Sequence, residues 1–482
     1  MKDLQQLFRN LSAQYAGQIL ARVLSLGLVL LLTRELGPDG YGVYSAGYAF
    51  VMLFMSWSDL GTRQLIIREV AKDHSRAPSY LRKLFVLRVG ATLGIVALIL
   101  VTAPLLGYEH ETIVFIGLMA TAKLIDNVAK LYSGVLEGLE RMAFSEGVEV
   151  INQLIVLGIS IPLVFAGYSV VYIGVAFLVA AAFKCAFTVG LYSRVRRKLE
   201  LRVSSGDWID VAFWTDILRE SWPFLVGSAL AVIIFDIDKV MISVMLGNAE
   251  TGWYNSAYRI MTTVGIVSGG FVSAIYPQLS RFHAGSDEAR FNTMLDTATK
   301  YMAALGVPMA VGTVITADEI ILLFFGSEFQ NSIVVLQALI WAQVGMFVGQ
   351  VGTTTIKAID KQHVNPINAA IAATTNIALN FVLIPLWGIL GAAIATVLTE
   401  IVAILLLSYW LHKFHRVPRI GKLPHIFAAS AAMGILVHTI DTMGAPLPLL
   451  IVTGACSYGL FAYTLDIIDD SDITLFRNSV GV

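Results

Sequence analysis

Residues 232–259 read V-I-I-F-D-I-D-K-V-M-I-S-V-M-L-G-N-A-E-T-G-W-Y-N-S-A-Y-R. They form the far half of an apolar helix, a short turn and the opening of a second apolar helix. Asp236, Asp238, Lys239 and Arg259 therefore stand in or beside helices of lipid depth. Each such charge costs about 2.5–3.5 kcal/mol in hydrocarbon on insertion scales, so a chain keeps it only against a partner or a wet cavity. The stretch also repeats an earlier one. Leu246-Gly247-x4-Gly252-x-Tyr254-x3-Tyr258 matches Leu36-Gly37-x4-Gly42-x-Tyr44-x3-Tyr48 in every spacing and in chain direction.

The rest of the chain supports a membrane reading. Of its 482 residues 57% are hydrophobic and 14% charged, against about 25% charged in soluble domains. A net charge of −1 excludes a nucleic-acid footprint built on global charge. Cys185 and Cys456 both fall in apolar runs and imply no disulfide framework. Residues 3–12 place Leu4, Leu7, Phe8 and Leu11 on one face, the pattern of an interfacial helix. Fourteen runs long enough to span follow, near 13–33, 41–60, 84–106, 111–131, 143–166, 168–192, 220–246, 252–277, 300–325, 332–356, 364–386, 388–410, 424–442 and 447–466. The first holds Gln18 and Arg22 and is expected to be a retained span rather than a cleaved signal.

Charge placement orients these runs. Of the 33 Lys and Arg residues, 26 fall in or at the edge of the segments on one side, and Arg34 alone lies on the other. The remaining six, Arg22, Arg88, Lys123, Lys184, Lys239 and Arg259, are inside spans. Positive charge near short loops marks the cytoplasmic side, which puts both termini in the cytoplasm of a cell-membrane protein. The expected fold is all-α: an N-lobe at 1–192, a cytoplasmic linker at 193–219, a C-lobe at 220–410, and two further spans with a tail at 411–482. An even number of spans per half makes the repeat parallel, a plan that places a transport site between halves.

Span 4 carries the strongest polar stripe. Lys123, Asp126, Asn127 and Lys130 share one helix face, which lines a cavity or forms a self-neutralising ladder. Asp236-x-Asp238 looks like a metal-binding DxD, but residues i and i+2 point about 200° apart on a helix. Asp236 with Lys239 is the more reasonable internal pair. Arg88 on span 3 either faces the interior or snorkels to the cytoplasmic interface. Glu146, Glu149 and Gln153 share one face of span 5, and Gln350, Thr353, Thr354 and Lys357 one face of span 10; their uncharged members, with Asn365, Asn368, Asn376 and Asn380, read as helix-to-helix bonding groups. Gly265-x3-Gly269 and Gly388-x2-Gly391-Ala392 read as close-packing surfaces. There is no G-x4-G-K-[ST] loop, no H-E-x-x-H and no paired CxxC, so no metal ligand set, cofactor site or catalytic residue is expected.

Several motifs resemble one family. Thr33-Arg34-Glu35-Leu36-Gly37-Pro38-x2-Tyr41-Gly42-x-Tyr44, Asp59-x-Gly61, Gly134-x3-Gly138-x-Glu140-Arg141 and Asn380-x4-Pro385-x2-Gly388-x2-Gly391-Ala392-Ala393 resemble, in order, features of the Wzx-type polysaccharide-biosynthesis flippases. That family shares a superfamily with MATE-type multidrug exporters and the lipid II flippase. The resemblance implies a MATE-like bundle of two six-helix lobes with alternating access. It also implies a polyprenyl-(pyro)phosphate-linked oligosaccharide as cargo, moved from the cytoplasmic to the outer leaflet. Membrane lipids and glycan-assembly enzymes are the implied partners. The expected substrate contacts are Arg22, Arg88, Lys123, Lys239 and Arg259, because an anionic head needs cationic, hydrated surroundings. Tyr254-x3-Tyr258-Arg259 resembles the start of the lipid II flippase's eighth span, where an arginine faces the cavity. Asp126, Asp236 and Asp238 are the expected ion-coupling carboxylates. Two other readings stand beside this one: a cation-coupled drug exporter, and a membrane glycosyltransferase or polymerase using the same lipid donor.

Overall fold

The structure, a computed structural model, describes residues 2–201 and 207–468. The side chains of residues 2–16, Arg22 and Glu146 are among those outside the description. The apolar face expected at residues 3–12 therefore lies outside the described residues, as does the Arg22 side chain. Fifteen α-helices are present among the described residues: α1 Lys2–Met55, α2 Thr62–Lys72, α3 Ala77–Leu105, α4 His110–Gly138, α5 Met142–Phe165, α6 Val170–Lys198, α7 Val211–Met245, α8 Asn248–Val264, α9 Ile266–Ala284, α10 Glu288–Ile315, α11 Ala317–Phe324, α12 Asn331–Ala358, α13 Val364–Phe414, α14 Leu423–Asp441 and α15 Leu447–Thr464. Helix throughout is what hydrocarbon demands, because backbone groups there must bond within their own segment.

All fourteen apolar runs are helical, though not as fourteen separate elements. Ten helical stretches are long and apolar enough to cross a membrane among the described residues. One of them, α13, holds two runs, and α1 and α7 carry three more. The backbone of α1 continues unbroken from residue 2 into the first span, so residues 3–12 are not a separate helix. Span 8 is shared between α8 and α9.

Two glycines make the long helices fold back. Gly37 in α1 has φ 64° and ψ −171°, and Gly388 in α13 has φ 58° and ψ −139°. That region is essentially open to glycine alone. Beyond Gly388 the chain turns so sharply that a Cβ on Gly391 would lie 2.0 Å from the Leu383 carbonyl oxygen. Gly388 is thus the turn, and Gly391 the close contact that the turn creates.

The helices form two compact units, one ending at Gly252 and the other beginning at Trp253. In the first, α4 packs on α1, α2, α3 and α6, and α7 packs on α1 and α2. Leu65, Ile66 and Val70 of α2 meet Leu131, Val135 and Leu136 of α4 and Ile217 of α7. Gly134 and Gly138 make this possible. Cβ atoms there would lie 3.1 Å from Ile66 and 2.7 Å from Val70, the close approach that small residues allow between helices in lipid. Asp210 caps α7, accepting from Phe213 N at 2.9 Å. The Lys83 ammonium, 2.7 Å away, holds the Asp210 carboxyl below its usual range.

Residues 36–42 and 246–252, the first parts of the two repeat copies, meet within this unit. A Cβ on Gly42 would lie 1.8 Å from the Asn248 carbonyl oxygen, and one on Gly252 would lie 2.1 Å from that of Pro38. In each case the second glycine of one copy touches the residue after the turn glycine of the other. The tyrosines repeat as well: Tyr44 stacks on Tyr48 at 5.9 Å and Tyr254 on Tyr258 at 6.0 Å.

In the second unit α10 lies between α12 and α14, and α13 and α15 complete the outer rows. Leu295 and Met302 of α10, Phe347 and Val351 of α12, and Leu407 and Leu411 of α13 share one core. Small residues again set the spacing: a Cβ on Gly352 would lie 2.4 Å from Leu407, and one on Gly434 2.8 Å from Val311.

Candidate functional site

The site is built around α4. Its 3.6-residue period carries Lys123, Asp126, Asn127 and Lys130 along one side, but packing then separates their tasks. Asp126 is buried, and its Oδ1 lies 2.7 Å from Lys184 Nζ of α6. Its Oδ2 lies 3.1 Å from Lys130 Nζ. Lys184 reaches on to Glu149 Oε2 of α5 at 2.5 Å. One buried ammonium thus joins carboxylates from two helices. The α6 position dictates this, because α6 packs on both α4 and α5. Lys123 turns instead toward α1, with its ammonium 5.2 Å from the Tyr48 ring centre, a cation–π distance. The ladder expected within α4 is therefore only half present: Lys130 joins it, and the second cation comes from α6.

Arg88 faces the interior. Its side chain on α3 is 2% exposed and donates through Nη2 to Asn127 Oδ1. The snorkelling alternative does not hold. Asn127 is positioned by donating Nδ2 to Thr92 Oγ1 at 2.5 Å and to the Ser58 carbonyl at 3.2 Å. Arg88 Nε and Nη1 are buried with no hydrogen-bond partner among the described residues. Arg88 borders a narrow cleft lined also by Leu124, Val128 and Leu131. Buried guanidinium donors are seldom left unmade, since each orphaned group costs about 1–3 kcal/mol.

On α7, Lys239 donates to Asp236 Oδ1 at 2.6 Å, the i, i+3 pair that the sequence suggests. Asp238 is fully buried while Asp236 is half-buried, so the two carboxylates do point apart. In the second unit Arg259 is half-buried on α8. Its carbonyl accepts from Thr263 Oγ1 at 2.7 Å. The structure joins Asp126 with Lys130, and Asp236 with Lys239; Arg88 meets Asn127 of α4. Lys123 meets Tyr48 of α1, and Asp238 is buried on α7.

The neutral polar stripes mostly hold helices together. Gln350 Nε2 donates to Ser268 Oγ at 2.9 Å, Trp410 Nε1 to Asn368 Oδ1 at 3.0 Å, and Asn380 Nδ2 to Asn376 Oδ1 at 3.1 Å. Gly265 packs on Gln343, whereas Gly269 has open space around it. The sequence places Lys184 inside a span and Glu149 on a polar face of span 5, without a role for either. The available signal was the ammonium itself, flanked by Phe183 and Cys185 deep in an apolar run.

Comparison with known proteins follows the same lines. The sequence pattern of the polysaccharide biosynthesis protein family matches residues 7–283, and the MatE pattern matches residues 223–382. A protein of Haloferax volcanii named "Probable low-salt glycan biosynthesis flippase Agl15" is 22% identical over 400 residues, covering 82% of each chain. Another from that organism, "Probable flippase AglR", is 22% identical over 481 residues, covering 95% of this chain and 96% of its own. Among solved structures the lipid II flippase MurJ superposes with a TM-score of 0.74 at 16% identity, covering 97% of this chain and 99% of that one. The last likeness shows the fold.

Proposed function

This chain belongs to the polysaccharide biosynthesis protein family, and on that premise we propose that it is a flippase for a polyprenyl-(pyro)phosphate-linked oligosaccharide. The cargo passes from the cytoplasmic to the outer leaflet of the cell membrane by alternating access, without covalent chemistry. Both termini are cytoplasmic in this reading, from the charge asymmetry of the connecting segments. The lobes that alternate are residues 1–192 and 220–410, with 193–219 as linker and 411–482 appended.

The observation that carries the reading is the cationic excess around α4. Arg88, Lys123, Lys130 and Lys184 stand against the carboxylates of Asp59, Asp126 and Glu149, and Arg88 keeps two buried donors unused. A diphosphate presents several acceptor oxygens to such donors, and a guanidinium matches them in geometry. Arg22, Lys239 and Arg259 complete the proposed substrate contacts. Asp126 and Asp236 already hold ammonium partners, so as ion-coupling groups they must surrender one in each cycle. Glycan-assembly enzymes are the proposed partners on either side of the membrane.

Binding of a polyprenyl diphosphate to the purified full chain in nanodiscs tests this. Arg88→Gln removes charge-assisted bonds worth about 1.5–3 kcal/mol each, so affinity falls about tenfold or more, while binding of the uncharged polyprenol does not change. Equal binding of both lipids overturns the reading. The MatE match over residues 223–382 keeps drug export as the second reading, which drug accumulation in cells with and without the protein decides.

A further inference from the structure

Glu400 stands alone at lipid depth. It lies in the second half of α13, about 18 Å along the helix from the turn at Gly388. Gly345 of α12 rests directly on its stem: a Cβ there would lie 3.2 Å from Glu400 Cβ and 3.8 Å from Oε2. Glu400 makes no hydrogen bond or ion pair among the described residues, in contrast to Asp126 and Asp236. A carboxylate without a partner is costly in hydrocarbon, and the neutral acid is the cheap form there.

Its neighbours bear on what a proton at Glu400 would do. The charged residue of α12 is Lys357, about 18 Å along the helix from Gly345. On α13 itself His412 and Lys413 are equally far. The third element is α8, joined to α13 where Tyr254 Oη and Thr396 Oγ1 meet at 3.3 Å. By span parity both segments run from the outer to the inner side. One turn beyond that bond lie Tyr258 and Arg259 on α8 and Glu400 on α13. Of the charged residues on these three helices, Arg259 is the nearest in level to Glu400.

We propose that Glu400 is a proton-binding site coupled to the anionic cargo at the level of Arg259. This rests on the flippase reading for the cargo, though not for the proton. An anion arriving beside Arg259 repels an ionised Glu400 and draws a proton onto its carboxyl; loss of the anion releases that proton to water. The coupling is reciprocal, so protonation tightens anion binding by the same factor. No bond other than the carboxyl O–H forms or breaks.

The test measures polyprenyl diphosphate affinity in nanodiscs from mildly acidic to mildly alkaline pH, for wild type and Glu400→Gln. Wild-type affinity tightens as pH falls, by at most about tenfold per pH unit for one linked proton. Glu400→Gln, fixed in the neutral form, binds tightly throughout. The lipid's own titration is common to both proteins and cancels in the comparison. Should Glu400→Gln fail to fold, Glu400→Asp must keep the slope. Equal slopes in wild type and Glu400→Gln, or a slope absent from wild type, overturn the coupling. Should wild type bind no polyprenyl diphosphate at any pH, the flippase reading falls and infrared spectroscopy decides the proton site separately. The carbonyl band of a protonated carboxyl, present in wild type, missing in Glu400→Gln and shifted in Glu400→Asp, supports it; a band unchanged by both substitutions overturns it.

Discussion

Lys184→Met tests how the charge around α4 is balanced. Lys184 lies 2.7 Å from Asp126 and 2.5 Å from Glu149, and its own side chain is 7% exposed. Removing it leaves Asp126 with Lys130 alone, whose side chain is 48% exposed. Breaking a buried ion pair from one side costs about 3–5 kcal/mol, because the remaining charge stays desolvated. Asp126→Asn costs less, since Lys184 then keeps Glu149. In the double variant the opposed buried charges leave together, and Glu149, 40% exposed, is the less desolvated of the two carboxylates. The double variant is therefore more stable than Lys184→Met alone, with a coupling of about 1–3 kcal/mol. Unfolding in mixed micelles, followed for the four proteins of the cycle, reads this directly. Effects that add to within about 0.5 kcal/mol would refute the reasoning.

Further expectations concern the fold. Gly42→Ala and Gly252→Ala each put a Cβ about 2 Å from a carbonyl oxygen and cost at least about 1–3 kcal/mol of overpacking, in similar measure because the contacts are reciprocal. Gly269→Ala, with open space around it, leaves the same micelle unfolding curve unmoved or slightly improved. Burial, opposed by Glu288 and aided by Arg416 and His283, holds the His415 imidazole below its usual pKa. The unfolded chain then takes up that proton first, so stability contributed by neutral His415 is full above the ordinary histidine value of about 6.5 and is lost as pH falls through it. His415→Asn, which keeps a partner for Asn292, flattens that part of the pH profile; an unchanged profile counts against the assignment.

Much of this was legible in residue order. The repeat of Leu36–Tyr48 at Leu246–Tyr258 announces two related halves, and the apolar runs locate every span because lipid tolerates little besides helix. Asp236 with Lys239 was readable too, since i, i+3 neighbours on one helix need no tertiary information. Lys184 was a different matter. Its partners lie on α4 and α5, and no spacing rule says which face of α6 meets which helix. Arg88 shows the same limit: position alone left it between interior and interface, and only packing against Asn127 decided. Gly388 looked like a packing surface because a turn glycine and a contact glycine share one residue type; the sign of φ separates them. Glu400 was passed over as one carboxyl in a long run, although an unpaired charge at that depth is itself the signal.

Leaflet-resolved accumulation of the lipid-linked oligosaccharide, in cells depleted of this protein, tests the central claim most directly. Cells restored with wild type, Arg88→Gln or Arg259→Ala provide the comparison. The flippase account predicts build-up in the cytoplasmic leaflet, relieved by wild type and not by either well-expressed variant. No build-up on depletion, with surface glycan intact, would contradict it.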